Sequence, residues 1–285
     1  RISASCNPYF VWKKGARPGA DGNDMVKILM HGCNGHMGQV ITRLVEAEAD
    51  MEIIAGVDVS DHISNAYPVY KSLEDYRQAC GQDGSLLADV AIDFSSAAAV
   101  DKLLDYCEAQ LMPSVLCTTG LSPEQLERVK ALSRKTAVLK SANMSLGINL
   151  LLKLLKEAAG VLAPAGFDIE IVEKHHNQKV DAPSGTALAL ADSINEEFNN
   201  EYTYVYDRST RRQKRDKKEI GLSAVRGGTI VGDHDVIFAG EDEVITFSHT
   251  AYSKNVFAKG AVQAAKFLKG KPAGLYDMSD VIEGV

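Results

Sequence analysis

The chain has 285 residues, of which 45% are hydrophobic and 24% are charged, and its formal net charge at pH 7 is -7. This composition is typical of a globular protein with one large domain or two ordinary ones, and it excludes a disordered chain. The acidic balance disfavours a dedicated nucleic-acid-binding protein, and the lack of any run of about 18 apolar residues disfavours a membrane protein.

The first 24 residues show no periodic apolar pattern, and they end in polar residues just before a strand-like run that starts at Met25. The basic residues in this segment are followed by no apolar stretch of the kind that a secretory signal contains. We therefore expect residues 1–24 to be a non-native or disordered extension outside the fold.

From Met25 to Asn143, short β-rich runs alternate with helical segments of about 10 to 15 residues. The predicted strands are VKILMHG, MEIIAGVDVS, LADVAIDFSS, MPSVLCTTG and AVLKSAN. The predicted helices are GQVITRLVEAEAD, AAAVDKLLDYCEAQ and SPEQLERVKALSRK, the last with Ser122 as its cap. This alternation predicts an α/β, Rossmann-type dinucleotide-binding domain over residues 25–143, with a parallel sheet covered by helices on both faces.

After Asn143 the pattern changes to a long apolar helix, SLGINLLLKLLKEAAGVLA, followed by strand-like runs in DIEIVEK, GTIVGDHDVIFAG and DEVITFSHT. It predicts a second, α+β domain with a mixed sheet over residues 144–254. The last helix, NVFAKGAVQAAKFLKG, has one apolar side. We expect residues 255–285 to return to the first domain.

The motif HGCNGHMG places Gly32, Gly35 and Gly38 between a predicted strand and a predicted helix. Backbone N–H groups and the helix dipole can bind a pyrophosphate at such a turn, although a tight turn alone also favours glycine. Asp58 lies 20 residues beyond Gly38 at the end of the second strand, where its carboxylate can bind an adenosine ribose. Together these features predict a nicotinamide dinucleotide as cofactor.

Val59 follows Asp58, so no arginine stands there to pair with a ribose 2′-phosphate. NADH is therefore favoured over NADPH. His36 or a more distant lysine remains an alternative partner for such a phosphate.

Two further motifs, CTTG at residues 117–120 and SANM at residues 141–144, each follow a predicted parallel strand. Open α/β sheets bind ligands at the carboxyl ends of their strands, so both motifs are expected to line the nicotinamide, with ordinary strand-to-helix turns as the alternative. No base is evident beside Cys117, which is not predicted to act as a nucleophile.

The five cysteines are Cys6, Cys33, Cys80, Cys107 and Cys117. They form no CxxC pair and no regular zinc spacing, so neither a disulfide framework nor a zinc site is predicted. Their scatter is typical of a reducing compartment, which favours a cytoplasmic protein.

The stretch EKHHNQKVDAPSGT combines proton carriers with a helix start. Its residues of interest are His175, His176, Lys179, Ser184, Gly185 and Thr186. Histidine is protonatable near neutral pH, lysine can donate a proton or bind an anion, and free N–H groups at a helix terminus can bind a carboxylate. The stretch therefore predicts proton transfer to an anionic substrate, with helix capping by Ser184 and Thr186 and a solvated Lys179 as alternatives. Adjacent histidines on a strand point in opposite directions, so no metal site is predicted.

The segment RSTRRQKRDKK, residues 208–218, contains seven lysines and arginines but no interleaved aromatic residue. We interpret it as a solvated loop rather than a nucleic-acid site, with subunit contact or anion capture left open as its role.

Six motifs in order, GCNGHMG, CTTG, SANMSLGIN, EKHHNQKVDAPSGTA, IGLSAVRGGTIVGDH and FAKGAV, closely resemble the dihydrodipicolinate reductases of bacterial lysine and diaminopimelate biosynthesis. The resemblance extends from Met25 essentially to the C-terminus, and HHxxKxDxPSGTA is its most specific part. It implies NAD(P)H-dependent reduction of a cyclic imine precursor, which carries two carboxylates, to tetrahydrodipicolinate. It also implies a homotetramer built through the sheet of the second domain.

The resemblance also implies roles for individual residues. It assigns acid–base catalysis to His175 and proton donation to Lys179. The substrate contacts that it implies, together with the helix start, are His176, Lys179, Ser184, Gly185 and Thr186. The cofactor contacts that it implies are Gly32, Cys33, Asn34, Gly35, His36, Met37, Asp58, Cys117, Thr118, Thr119, Ser141, Ala142, Asn143 and Met144.

Three positions depart from the family pattern. GHMG replaces the usual GRMG, Cys117 replaces a common glycine, and Met144 replaces a common aromatic residue. The first weakens the case for NADPH, and the others predict a differently shaped nicotinamide pocket. Two alternatives stay open: another two-domain reductase of a small anionic substrate, such as a semialdehyde reductase with a nucleophilic cysteine, or a non-catalytic nucleotide-sensing protein.

Overall fold

A computed structural model describes residues 25–60, 62–80 and 87–284. The predicted extension, residues 1–24, and Cys6 within it lie outside the described residues. The strands are β1 (Val26–His31), β2 (Met51–Val57), β3 (Val69–Tyr70), β4 (Val90–Asp93), β5 (Ser114–Leu116), β6 (Ala137–Leu139), β7 (Asp168–His175), β8 (Thr203–Val205), β9 (Glu219–Arg226), β10 (Gly232–Ala239), β11 (Val244–Ala251) and β12 (Gly274–Tyr276). The helices are α1 (His36–Glu46), α2 (Leu73–Ala79), α3 (Ala97–Gln110), α4 (Pro123–Ser133), α5 (Leu146–Leu162), α6 (Gly185–Glu196), α7 (Asn255–Leu268) and α8 (Met278–Glu283).

The first sheet has seven strands in the order β12-β6-β5-β4-β1-β2-β3, and all of its neighbouring pairs are parallel. The strand order reverses between β1 and β4, which is where Rossmann-type sheets bind nucleotides. His31 at the end of β1 pairs with Val57 of β2 and with Asp93 of β4. The loops that follow these three strands therefore meet at one edge of the sheet.

Helices cover both faces of this sheet, because its strands are almost continuously apolar. One buried cluster joins β1 and β4 to α1 and α7, and includes Met30, Ile41 and Val262. A second cluster on the opposite face joins the sheet to α2, α3 and α4. The predicted Rossmann-type architecture is confirmed.

The second sheet is mixed, as predicted, with five strands in the order β11-β10-β7-β9-β8. Strand β7 is parallel to β9 and antiparallel to β10. Helices α5 and α6 pack on one face, around a core that includes Leu155, Leu190 and Phe238. On the sheet's edge strand β11, Val244 and Ile245 are exposed.

Helix α7 belongs to the core of the first sheet, and a glycine allows the chain to pass close to it. A side-chain carbon at Gly260 would lie 1.6 Å from the backbone oxygen of Met144. The segment between β6 and α5 therefore lies directly against α7, and Met144 is buried there.

The segment of basic residues 208–218 is largely exposed, as predicted for a solvated loop, and four of its seven basic residues form ion pairs with acids. Arg208, Arg211 and Arg215 form ion pairs with Asp168, Glu170 and Glu219 at distances of 2.5 to 3.0 Å. Lys218 pairs with Glu201. The three arginines therefore bind the segment to acidic residues of β7 and β9.

None of the helices in the described residues is both long enough and apolar enough to cross a membrane.

Candidate active site

The loop between β1 and α1 is shaped by two glycines that no other residue could replace. Gly32 has a φ of +82°, and a side-chain carbon there would lie 2.6 Å from the backbone oxygen of Phe94. A side-chain carbon at Gly38 would lie 2.3 Å from the backbone oxygen of Gly32. The N-cap of α1 is Gly35, so no N-cap side chain covers the helix terminus. This geometry leaves the first N–H groups of α1 facing the edge of the sheet, where an anion can bind.

Asp58 follows β2 and ties the glycine loop to that strand. Its carboxylate accepts hydrogen bonds from the backbone N–H of Asn34 and of Ser60, both at 2.9 Å. A carboxylate has about four acceptor positions, so capacity remains for ribose hydroxyls.

The side chains of Cys33 and Asn34 point into the protein. Cys33 is fully buried, and burial raises the pKa of its thiol to about 12. The Asn34 amide donates to the backbone oxygen of Ser60 at 2.6 Å. Cys33 and Asn34 can therefore contact a ligand only through their backbone groups. The side chain of His36, in contrast, is exposed.

A cavity of about 540 Å³ opens at the reversal point of the strand order, beside Asp58 and the glycine loop. The residues that line it are His31, Gly32, Gly35, Val57, Asp58, Val59, Lys71, Ser72, Leu73, Phe94, Ser95, Ser96, Ala98, Ala99 and Lys102. A glycine cradle, an open helix terminus and an acceptor for ribose hydroxyls fit a dinucleotide. The contributions of Lys71, Lys102 and the three serines were missed from the sequence, because no motif marks the residues that follow β3 and β4 or the first turns of α3.

The two later motifs follow strands of the same edge, with different surroundings. The Thr118 hydroxyl is buried and accepts a hydrogen bond from the backbone N–H of Ser95 at 3.1 Å, whereas Thr119 is exposed. Burial raises the pKa of the Cys117 thiol well above its ordinary value, so this thiol is not activated as a nucleophile. Ser141 has a half-buried side chain beside this edge.

Ala142 and Asn143 instead line a second cavity, of about 320 Å³, with residues of the second domain. The other residues that line it are Ile148, His175, His176, Lys179, Ser184, Gly185, Thr186, Val231, Gly232, His234, His249, Ala251, Lys254, Val256 and Phe257. None of these is acidic. The Asn143 amide donates to the Thr186 hydroxyl at 3.1 Å, which links the edge of the first sheet to the start of α6.

His175 ends β7 on its buried face and is held by a neighbouring acid. Its Nδ1 lies 2.6 Å from Oε2 of Glu173, whose side chain is itself 1% exposed. Burial alone would raise the pKa of Glu173, but hydrogen bonds from Arg226, His175 and the Ser184 N–H hold it below its ordinary value. An ionised Glu173 accepts the Nδ1 proton, which leaves Nε2 as the reactive nitrogen.

Lys179 and the start of α6 are joined by a carboxylate of the same stretch. The Lys179 ammonium lies 2.8 Å from Oδ1 of Asp181. Hydrogen bonds from Lys179 and from the Gly185 N–H hold the pKa of Asp181 below its ordinary value. Lys179 and Gly185, two of the residues expected to bind the substrate, therefore already bind a carboxylate of the protein.

Ser184 caps α6. Its Oγ accepts the Ala187 N–H at 3.1 Å and lies 3.0 Å from Nε2 of His234. The residue is 2% exposed, so the geometry favours the capping alternative for this hydroxyl. His234 was missed from the sequence, although it stands in the quoted motif VGDH.

Burial, and then the proximity of His175, lowers the pKa of His234 from 6.5 to about 4. Its contribution to stability is therefore fully present above pH 6.5 and is lost as the pH falls from 6.5 through 4, because only the unfolded chain takes up the proton there. We expect His234→Gln to abolish about 3 kcal/mol of this pH dependence. Urea unfolding at several pH values gives the free energy of unfolding as a function of pH. If this free energy changed equally with pH in the wild type and the variant, His234 would not be the group responsible.

Enzymes that transfer hydride from nicotinamide cofactors combine a Rossmann-type sheet with a second domain that holds the substrate. Both parts are present here, with one cavity at the reversal point of the sheet and a basic cavity beside it. The fold and the two cavities therefore define a two-domain nicotinamide-dependent oxidoreductase.

Comparison with known proteins identifies the family. Residues 26–144 match the family model described as dihydrodipicolinate reductase, N-terminus, and residues 147–282 match the one described as dihydrodipicolinate reductase, C-terminus. The chain belongs to the dihydrodipicolinate reductase family.

Two curated relatives carry the name 4-hydroxy-tetrahydrodipicolinate reductase. The protein of Caldanaerobacter subterraneus is 50% identical over 259 residues, which cover 91% of this chain and 99% of the relative. The protein of Clostridium tetani is 48% identical over 254 residues, which cover 89% and 96%.

Solved structures share the fold. A dipicolinate-bound dihydrodipicolinate reductase from Paenisporosarcina sp. TG-14 matches with a TM-score of 0.73 and 24% identity, over 89% of this chain and 97% of that one. GenD2 of gentamicin A biosynthesis, solved in complex with NAD, matches with a TM-score of 0.54 and 12% identity, over 94% and 93%.

Proposed function

We propose that the protein reduces 4-hydroxy-tetrahydrodipicolinate to tetrahydrodipicolinate with NADH or NADPH. The substrate gains a hydride and a proton and loses water. The observation that carries this proposal is the link between the two cavities, the 3.1 Å hydrogen bond from Asn143 to Thr186, which joins the dinucleotide edge to a basic cavity with no acidic residue in its lining.

The first cavity would hold the cofactor, which supplies the hydride when bound. The N–H groups at the start of α1 bind the pyrophosphate, and Asp58 binds the adenosine ribose. The motifs at residues 117–119 and 141–144 flank the nicotinamide. The side chains of Cys33 and Asn34 support the loop from inside.

The second cavity would hold the two carboxylates of the substrate. Gly185 and Thr186 bind one of them at the helix start, and His176 and Lys179 supply positive charge. For this to happen, the substrate displaces Asp181 from Lys179 and from the Gly185 N–H.

Lys179 would donate the proton, and His175 would serve as the second acid–base group. The ion pair with Asp181, at 2.8 Å, holds the Lys179 side chain at the cavity. His175 presents Nε2, because Nδ1 is bonded to Glu173. Closure about residues 142–145 and 253–257, which connect the two domains, would exclude water from the two cavities.

The experiment that tests this function is substrate-dependent oxidation of NADH, with the product of dihydrodipicolinate synthase as substrate. We expect turnover with this compound and none with a semialdehyde. Turnover with a semialdehyde alone would favour another two-domain reductase, and NADH binding without any turnover would favour a nucleotide-sensing protein.

We propose that NADH is preferred, because Val59 follows Asp58. Lys71 nevertheless lies nearby, with its ammonium 3.2 Å from the backbone oxygen of Val59. We expect Lys71→Met to lower kcat/KM for NADPH about 10-fold, as one lost phosphate contact would, and to leave the value for NADH unchanged. A wild-type preference for NADPH would contradict the proposed preference for NADH. A Lys71→Met enzyme with an unchanged ratio of kcat/KM for NADPH to kcat/KM for NADH would contradict the role of Lys71.

The division of the chain is part of the same proposal. Residues 25–143 bind the dinucleotide, residues 144–254 bind the substrate and form subunit contacts, and residues 255–285 return to the first domain. The burial of α7 against the first sheet supports the last point.

Exposed Val244 and Ile245 on the second sheet support a homotetramer, which light scattering would measure. We propose a cytoplasmic location, since the four described cysteines are not joined in disulfides.

A further inference from the structure

Strand β7 carries an acid where its pattern requires an apolar residue. Its side chains alternate between half-buried and buried, and the buried positions are Ile169, Ile171, Glu173 and His175. Glu173 is 1% exposed. An ionised carboxylate is costly to bury, so its presence in the core of the second domain needs an explanation.

Every hydrogen-bonding direction of Glu173 is occupied. Oε2 lies 2.6 Å from Nδ1 of His175 and accepts Nη1 of Arg226 at 2.7 Å. Oε1 accepts the Ser184 N–H at 2.9 Å and Nη2 of Arg226 at 2.7 Å. The carboxylate thus connects β7, β9 and the start of α6 at one point.

Arg226 connects the same point to the loop that carries Lys179. It lies beside His175 in the parallel register of β7 and β9, and its Nη2 also donates to the backbone oxygen of Asp181 at 2.6 Å. One guanidinium therefore fixes Glu173 by a bidentate ion pair and fixes the loop two residues beyond Lys179.

We propose that Glu173 and Arg226 are positioning residues of the reaction. Glu173 holds His175 with Nδ1 as the donor and Nε2 toward the substrate cavity, and Arg226 holds both Glu173 and the Lys179 loop. The two proton-transferring side chains are thereby kept in one geometry by one buried ion pair. This inference rests on the proposed function, because it assumes that His175 and Lys179 transfer protons.

The ionisable groups around His175 belong to several elements. They are Glu173 on β7, Arg226 on β9, His234 on β10, His249 on β11, His176 and Lys179 in the loop after β7, and Lys254 before α7. Asp181 pairs with Lys179, and the acid that contacts His175 itself is Glu173. Removal of its charge should therefore disfavour the protonated imidazole of His175.

The first test compares Glu173→Gln with the wild type. We expect kcat to fall roughly 10- to 100-fold and KM to change less than about threefold, because the substrate contacts remain. The pH profile of kcat should also change, because the negative charge 2.6 Å from Nδ1 of His175 is lost. The matched control is Asp235→Asn, which removes an ion pair of 2.9 Å with Lys174 and should leave kcat and its pH profile unchanged.

Glu173→Gln leaves Arg226 without its partner, and that can unfold the protein. The charge-balanced double variant Glu173→Gln, Arg226→Gln avoids this and should show the same loss of kcat. Its affinity for dipicolinate reports whether the cavity is intact.

A measurement on the unaltered protein is independent of folding defects. Nitrogen-15 NMR of the histidine rings, assigned with His175→Gln, should find the Nδ1-protonated tautomer at His175. An Nε2-protonated tautomer, or a Glu173→Gln enzyme with wild-type kcat and pH profile, would overturn the inference. A wild type without any turnover would instead overturn the proposed function.

Discussion

Replacement of Lys179 with alanine is expected to lower kcat about 100-fold or more, which is the effect of losing a general acid. The Lys179 ammonium lines the substrate cavity and lies 2.8 Å from Oδ1 of Asp181, so it is positioned and charged before the substrate arrives. The affinity for NADH should not change, because the glycine loop and Asp58 belong to the other cavity. Steady-state kinetics and calorimetric titration with NADH measure the two effects.

The matched control is Lys174→Ala. Lys174 lies on β7, the strand that leads to Lys179, where it pairs with Asp235 on the face opposite to His175. Its loss should leave kcat close to the wild-type value. Near-normal turnover of the Lys179→Ala enzyme would exclude Lys179 as the proton donor.

A second large effect is expected for Gly38→Ala, which should weaken NADH binding by about 100-fold, as the loss of one or two charge-assisted hydrogen bonds would. The new carbon would lie 2.3 Å from the backbone oxygen of Gly32 and 2.6 Å from that of Cys33. Neither atom can move without displacing the loop, so the N–H groups at the start of α1 would no longer face the pyrophosphate. Fluorescence titration with NADH measures the change.

The control is Gly227→Ala, since a side-chain carbon at Gly227 would meet no atom within 4 Å. This variant should bind NADH normally. Dipicolinate binding by Gly38→Ala reports whether the second domain is intact. Normal NADH affinity in a folded Gly38→Ala protein would contradict the assignment of the loop to the pyrophosphate.

The sequence predicted the fold well where periodicity is strong. The helix at residues 97–110 begins and ends as AAAVDKLLDYCEAQ suggests, and Ser122 caps the following helix with a full capping box. The glycine loop and the HHxxK stretch were found because their residue types are rare in combination. Both motifs lie in cavities, as their chemistry requires.

Strand β9 was not predicted, although it lies near the centre of the second sheet. Gly221 interrupts its apolar pattern, because the Glu170 carboxylate occupies the space that a side chain at residue 221 would fill. That carboxylate is in turn paired with Arg208 and Arg215. The residues of β9 are therefore constrained by ion pairs with the loop at residues 208–215. For this reason β9 lacks the alternation of apolar and polar residues by which a strand is predicted from sequence.

Glu173 was visible in the sequence as an acid in phase with Ile169 and Ile171, yet its role was not recognised. Its significance depends on Arg226, which lies 53 residues further along the chain and beside it only in the folded sheet. Lys71 likewise reaches the dinucleotide cavity from a two-residue strand that has too few residues to show a pattern. Contacts of this kind become apparent only when the topology is known.

In the proposed reaction, hydride passes from a nicotinamide in the first cavity to a substrate in the second. The most direct test is to run the reaction in ordinary water with NADH deuterated at both C4 positions and to weigh the product by mass spectrometry. We expect one deuterium in each molecule of tetrahydrodipicolinate. A product without deuterium would contradict this expectation.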